Sequence, residues 1–262
     1  MRIIVCVKQV PGTSQVEVDP VTGVLKRDGV DSKLNPYDLF ALEAALRLRE
    51  RVGGDVCTLS MGPDQAAAAL EETLAIGADE GFLLSDRRFA GADVYATSYA
   101  LRCGVEKIAP FDLILCGKQT TDGDTAQVGA ELAEQLGIEH AANVLGILEA
   151  DAGSVTVTVN LDDCVQTQRM RLPCLLTIEK DAFTPRLPSY RRKKAVRPEA
   201  IRRFGADDLP GARPERLGLK GSLTQVERIF PPVKNTQKQI FEGDAEALSA
   251  QMLELLRTRR FI

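Results

Sequence analysis

Phe111-Asp112-Leu113-Ile114-Leu115-Cys116-Gly117-Lys118-Gln119-Thr120-Thr121-Asp122-Gly123-Asp124-Thr125-Ala126-Gln127-Val128-Gly129 is the stretch that decides the fold. Its opening, Phe111 to Cys116, reads as a strand, apolar enough to be buried on both faces. The polar residues that follow leave the carboxyl end of that strand and are expected to enter a helix at Asp124 or Thr125, which ends at Gly137. Open α/β sheets bind their ligands at such a place. A helix N-terminus offers unpaired N–H groups and partial positive charge, so it stabilises a phosphate without any cation. Gly117 and Gly123 let backbone approach a ligand, and Thr120, Thr121 and Thr125 carry hydroxyl donors. A loop of turn formers with Asp124 capping the helix is the plainer reading, and the residues alone leave both open.

Two familiar phosphate motifs are absent. A Walker A loop requires Ser or Thr after Lys118 and a glycine at position 112, where the chain has Gln119 and Asp112. No Gly-x-Gly occurs anywhere in the sequence, which removes the dinucleotide-binding fingerprint.

Upstream, the chain alternates as a parallel sheet demands. Ile3 to Val7 is an apolar, β-branched strand. Asn35 caps and Pro36 opens a helix whose apolar residues Leu39, Leu42, Ala45, Leu46 and Leu48 keep a helical period, and Gly53-Gly54 stops it. Asp55 to Met61 is the next strand. A helix through Leu70, Leu74 and Ile76 ends at Gly77. Gly81 to Leu84 is a third strand, and a helix from about Asp93 to Lys107 leads to the deciding stretch.

Downstream the texture changes. Val144 to Leu148, Val155 to Val159 and Cys174 to Ile178 read as strands without long helices between them. Strict alternation in Val155-Thr156-Val157-Thr158-Val159 predicts a half-exposed antiparallel strand. The expected fold is thus α/β: a mostly parallel sheet with helices on both faces and an antiparallel extension. From Lys180 to Phe204 the chain is basic, with prolines at 185, 188 and 198, which predicts an extended exposed loop. A solvated charge run is its bland reading; Leu187 beside Pro188 makes a protein-docking loop the rival. Pro210 to Pro232 reads as Gly/Pro-rich connection. From Asp244 an amphipathic helix carries Leu248, Met252, Leu255 and Leu256 on one face, set off by Pro231-Pro232. The expected division is a domain over 1–230, with the basic loop at 181–203, and a C-terminal arm over 231–262.

Composition narrows the classes. A formal net charge of -4, 5% aromatics and no tryptophan argue against nucleic acid as the main partner. No apolar stretch is long enough to cross a bilayer, and Met1 to Lys8 has no signal-peptide pattern, so a cytoplasmic chain is expected. The six cysteines, at 6, 57, 103, 116, 164 and 174, form no Cys-x-x-Cys pair, and the single histidine, His140, has no partner at ligand spacing. Neither a disulfide framework nor a metal site is expected.

Val5-Cys6-Val7-Lys8-Gln9-Val10-Pro11, Asn35-Pro36-Tyr37-Asp38, Met61-Gly62-Pro63, Ala75-Ile76-Gly77-Ala78-Asp79-Glu80 and Gly117-Lys118-Gln119 with Asp122 to Gly129 occur in an order that resembles the beta subunit of electron-transfer flavoproteins, over nearly the whole chain. The resemblance implies an adenine-nucleotide-binding α/β fold in a heterodimer with a larger alpha subunit. Members hold either AMP, as a structural nucleotide, or a second FAD. Those with AMP carry an acidic residue where this chain has Gly123. Those with FAD, which bifurcate electrons from NADH, are similar to this chain in Asp122-Gly123-Asp124-Thr125-Ala126-Gln127-Val128-Gly129, and in Ser85-Asp86-Arg87, Phe89 and Gly91-Ala92-Asp93 leading to Ala96-Thr97-Ser98. Glycine in place of a carboxylate removes charge repulsion and bulk where a second phosphate must run. The departures are Thr120-Thr121 and Ala130, where bifurcating members often read Ala-Ile and Pro.

By the same resemblance, residues 117–128 hold the phosphates, while Cys6, Asn35, Pro36, Tyr37, Asp38 and Met61 line the adenosine side. Phe89, Asp93 and Thr97 belong to a candidate flavin cradle, which also reads as a loop and helix cap. Leu187 is the counterpart of a leucine that docks into a partner dehydrogenase, in a segment shorter than in some relatives, and the terminal helix packs on the alpha subunit. Electrons from NADH would pass through the alpha-subunit FAD to an acyl-CoA or 2-hydroxy-acid dehydrogenase, and to ferredoxin or flavodoxin. No side chain need act as acid or base, since the flavin supplies the redox chemistry. Rivals from other classes are an ATP-using enzyme of the same broad fold, weakened by Lys8-Gln9-Val10-Pro11 after the first strand, and an interaction subunit without ligand.

Overall fold

The computed structural model describes residues 1–12, 32–197, 200–227 and 238–262. The chain divides into two compact units, Met1–Glu227 and Arg228–Ile262.

Strand β1 (Arg2–Cys6) sends Ile3 and Val5 to one face and Ile4 and Cys6 to the other, and each pair enters a different apolar cluster. That is the period-two alternation of a strand covered on both sides. A short antiparallel ribbon of β2 (Gln9–Pro11) and β3 (Ser32–Leu34) follows. Helix α1 (Pro36–Val52) starts on its proline. Then come β4 (Asp55–Met61), α2 (Ala67–Ile76), β5 (Glu80–Leu84), α3 (Val94–Ile108), β6 (Leu113–Gly117) and α4 (Val128–Leu136). The chain continues through β7 (Glu139–Ala150), β8 (Ser154–Asn160), β9 (Val165–Arg171), β10 (Cys174–Ile178), α5 (Tyr190–Ala195), β11 (Ile201–Phe204) and α6 (Gly218–Gly221).

Among the described residues the main sheet has nine strands in the order β11-β5-β4-β1-β6-β10-β7-β8-β9. It is parallel from β11 to β7, and β8 and β9 continue it antiparallel. Helices α1 and α2 bury one face, and α3 and α4 the other. From β1 the chain winds outward to β4 and β5, then returns to place β6 on the other side of β1. The carboxyl ends of β1 and β6 therefore flank the topological switch point.

The α/β class and the front-half strands agree with the sequence reading. Four details differ. Strand β10 was expected in the antiparallel extension, but lies parallel between β6 and β7. Strand β9 was not foreseen, because among its residues only Met170 is buried and no apolar alternation marks it. The basic stretch is not extended throughout: the Ser189 hydroxyl accepts from the Arg192 N–H and starts α5. Pro210 to Thr224 is not a mere connection, since Leu217 is buried and Leu219 N–H donates to Ala90 O at 3.0 Å. Pro198 and Pro231-Pro232 lie outside the described residues.

In the C-terminal unit, helix α7 (Ala245–Thr258) is capped by Asp244, which accepts from Ala247 N–H at 2.8 Å, and none of its residues is buried. Among the described residues no helix is long and apolar enough to cross a membrane.

Candidate functional site

At the switch point, Cys6 on β1 stands in register with Cys116 on β6. Both are buried, and their mutual hydrogen bond together with burial raises the Cys116 thiol well above its ordinary value. The N-terminus of α1 brings Asn35 and Asp38 against them. Asp38 Oδ2 accepts from the Lys8 backbone N–H at 2.7 Å, and Oδ1 from Asn35 Nδ2 at 2.8 Å. Asn35 Nδ2 also donates to Gln119 O at 2.9 Å. So Asn35 and Asp38 turn their polar atoms inward and bolt three segments together, a role different from lining a ligand. Burial raises the Asp38 carboxyl to about 7, against the opposing effect of Asn35, Lys8 and the Gly117 N–H. Pro36, Tyr37 and Met61 are partly buried at the same edge.

Gly117 has a packing reason to be glycine: a Cβ there would lie 2.5 Å from Asp38 Oδ1. Gly129 has another, since its Cβ would meet Thr177 Cγ2 at 2.5 Å. Gly123 has neither. Its φ lies outside the left-handed region, and the nearest atom to a Cβ is Thr120 Oγ1 at 3.6 Å.

The loop between them corrects the expected helix start. Helix α4 begins at Val128 with Gln127 as an N-cap that makes no side-chain bond. Asp124 is not the cap. Its φ of 53° is left-handed, whereas an N-cap is extended, and its carboxylate takes the Gln119 amide instead. Ala126 is left-handed too, at φ 56°, and the right-handed Gln127 follows it. Alternating hands make successive N–H groups converge on one concavity, which suits an anion. Among the described residues the N–H groups of Ala126 to Gly129 meet no acceptor. Two lysines reach across this region: Lys8 Nζ lies 2.8 Å from Asp122 Oδ2, and Lys118 Nζ 2.9 Å from Glu179 Oε2.

Helix α3 runs antiparallel to its strands, so its N-terminus opens at the same sheet edge as that of α4. Gln135 Nε2, in the last turn of α4, donates to Ser98 Oγ near the start of α3 at 2.7 Å. Phe89 is buried in the apolar cluster on the α3 and α4 face. Asp93 caps α3, accepting from Ala96 N–H with Oδ1 at 2.9 Å, while Oδ2 accepts from Thr224 N–H at 2.8 Å. Thr97, one turn on, is partly buried. The partner of Asp93 was missed in the sequence. Leu217 to Thr224 forms a strap over the α3 N-terminus, and Ser222 Oγ accepts from Asp93 N–H at 2.9 Å. Gly218 within it has φ 55° and would drive a Cβ to 2.1 Å from Arg88 O, so only glycine fits. The Gly218-x-x-Gly221-Ser222 spacing was the signal available.

The basic segment lies elsewhere, on the α1 and α2 face. Leu187 is 88% exposed and Tyr190 72% exposed. Yet the backbone between them is fastened. Arg186 binds Glu43 and Glu50 of α1, and Ser189 N–H donates to Ala75 O at 2.9 Å. Burial raises the Glu43 carboxyl, but the Arg186 and Arg47 hydrogen bonds outweigh it and hold the group below the usual range.

Fold and switch-point loop together define a doubly wound α/β chain with unpaired N–H groups at the carboxyl edge of its sheet. The electron transfer flavoprotein domain matches residues 22–209. The chain is 44% identical to the electron transfer flavoprotein subunit beta of Thermoanaerobacterium thermosaccharolyticum, with all of both chains covered. It is 41% identical to the caffeyl-CoA reductase-Etf complex subunit CarD of Acetobacterium woodii, again over all of both. To the protein FixA of Bradyrhizobium diazoefficiens it is 40% identical over 98% of this chain and 91% of that one. The chain belongs to the electron transfer flavoprotein family.

Proposed function

We propose that this chain is the beta subunit of an electron-bifurcating electron-transfer flavoprotein and holds FAD at the switch-point crevice. The observation that carries the reading is Gly123. Neither backbone conformation nor packing requires glycine there, yet it sits in the loop that presents unpaired N–H groups at Ala126 to Gly129. A missing side chain that the fold does not need leaves room for a ligand that the fold does not contain. The donors present fit a pyrophosphate: convergent backbone N–H groups, the α4 N-terminus and the hydroxyls of Thr120, Thr121 and Thr125. Adenosine would lie over Cys6, Tyr37 and Met61.

Bound there, FAD would accept hydride from NADH and deliver electrons singly, one to the alpha-subunit FAD and a dehydrogenase, the other to ferredoxin or flavodoxin. This chain's residues would bind, orient and exclude water. Asn35 and Asp38 fix the crevice walls, and the strap over α3 fixes the second helix N-terminus. Leu187 and Tyr190, held out on a fastened loop beside Arg191 to Lys194, suit an apolar pocket with an acidic rim on a flavin dehydrogenase of the acyl-CoA or 2-hydroxy-acid type. CarD is named as part of a reductase-Etf complex, which supports a partner of that kind.

The second reading is an AMP-holding carrier, which the open Gly123 disfavours. Anaerobic mixing of the purified alpha–beta complex with NADH separates the two. The FAD reading expects rapid bleaching of the flavin absorbance; an AMP-holding carrier stays yellow without a dehydrogenase to reduce it.

A further inference from the structure

A phosphate-binding loop with two carboxylates of its own contains a contradiction. Asp122 and Asp124 lie four and two residues before the first of the unpaired N–H groups at Ala126 to Gly129, and each would repel an approaching phosphate. Both are disarmed, in different ways. Asp124 is turned onto the side-chain amide of Gln119, within the loop. Asp122 is met from outside the loop: the Lys8 ammonium binds both of its oxygens, at 2.9 Å and 2.8 Å.

Lys8 is well placed to do this. It follows directly on β1, and its backbone N–H is held by the buried Asp38 carboxylate at 2.7 Å. The ammonium is thus anchored on the β1 lip of the crevice, while Asp122 belongs to the β6 lip. The Asp122 side chain is only 28% exposed, so solvent screens its charge incompletely. Burial pushes its carboxyl up, and the Lys8 contact outweighs that and keeps it ionised.

We propose that Lys8 is the positioning residue that makes the loop acceptable to a phosphate, by neutralising Asp122 and holding it to the β1 lip. The proposal rests on the nucleotide reading of the crevice and adds to it a residue that reading does not use. Loss of the ammonium leaves a half-buried, unpaired carboxylate beside the anion. The penalty is specific to charge on the ligand and disappears when the carboxylate is removed as well.

The test uses the alpha–beta complex stripped of its beta-site ligand and titrated calorimetrically with adenosine, AMP and ADP. Lys8→Gln should weaken AMP roughly tenfold, and ADP more, while leaving adenosine within about twofold of wild type. Lys8→Arg, and the double variant Lys8→Gln/Asp122→Asn, should restore AMP binding to within about threefold. Adenosine weakened as much as AMP would show Lys8 to be merely structural and overturn the proposal. A double variant as weak as Lys8→Gln would show that the ammonium touches the phosphate itself, and would also overturn it. A wild-type complex that binds neither AMP nor ADP overturns the nucleotide reading, and the proposal with it; the other two outcomes leave that reading standing.

Discussion

The Arg186 guanidinium closes on the Glu43 carboxylate with Nε at 2.8 Å and an η nitrogen at 3.2 Å, and the Arg186 backbone N–H adds a third contact at 3.2 Å. Glu43 is 4% exposed, so a helix interior position has been given to a charge for the sake of one loop. Removing one partner of such a pair leaves the other uncompensated in low dielectric. Arg186→Ala should lower stability by about 2–3 kcal/mol, read by denaturant unfolding, with Arg47 keeping the loss below the upper end of the buried-pair range. A loss under about 0.5 kcal/mol would mean the clamp contributes nothing.

Leu187, the next residue, behaves oppositely. It is almost fully exposed, so Leu187→Ala should leave the unfolding midpoint unchanged. Electron delivery to the partner dehydrogenase should fall at least tenfold, while reduction by NADH is unaffected. Equal loss in both half-reactions would place Leu187 in a general structural role and remove the docking assignment.

Glycines 117 and 123 divide structure from ligand binding within one loop. Gly117→Ala forces a Cβ onto Asp38 and Tyr37 and should cost about 2 kcal/mol or more by overpacking, even with no ligand present. Gly123→Ala should be silent in stability. Gly123→Asp should lower occupancy of the beta-site flavin and leave the alpha-site flavin bound; unchanged occupancy would remove the reason given for that glycine.

Asp38 gives the crevice a pH dependence. Burial raises its carboxyl from 3.8 to about 7 in the folded chain, so the native state holds the proton more tightly than the unfolded one. The stability this group contributes is complete below about pH 4 and is lost as pH rises through about 7. Asp38→Asn does not titrate. The melting temperature of wild type minus that of Asp38→Asn should therefore decrease between about pH 4 and pH 8. A difference independent of pH contradicts the assignment.

The parts of this molecule written in local apolar pattern were readable from sequence: Ile3 to Val7 and Phe111 to Cys116 announce strands, which the structure sets at Arg2–Cys6 and Leu113–Gly117. What depends on distant partners was not. Strand β9 buries little beyond Met170 and carries no periodic signal. Asp124 has the right chemistry for an N-cap, but Gln119 competes for its carboxylate and the left-handed backbone delays α4 to Val128. Asn35 and Asp38 were expected to line the adenosine side, and no sequence pattern reveals that Lys8, Gln119 and Gly117 absorb their polar atoms. The Leu217–Thr224 strap looked like punctuation, since its meaning lies in Asp93, more than a hundred residues away.

The most direct test of the FAD assignment is the ligand content of the intact complex. Purified alpha–beta heterodimer is denatured, and the released nucleotides are separated and quantified against protein. Two FAD per heterodimer, with no AMP, is the expected result. One FAD and one AMP per heterodimer would contradict it and return the crevice to a structural role.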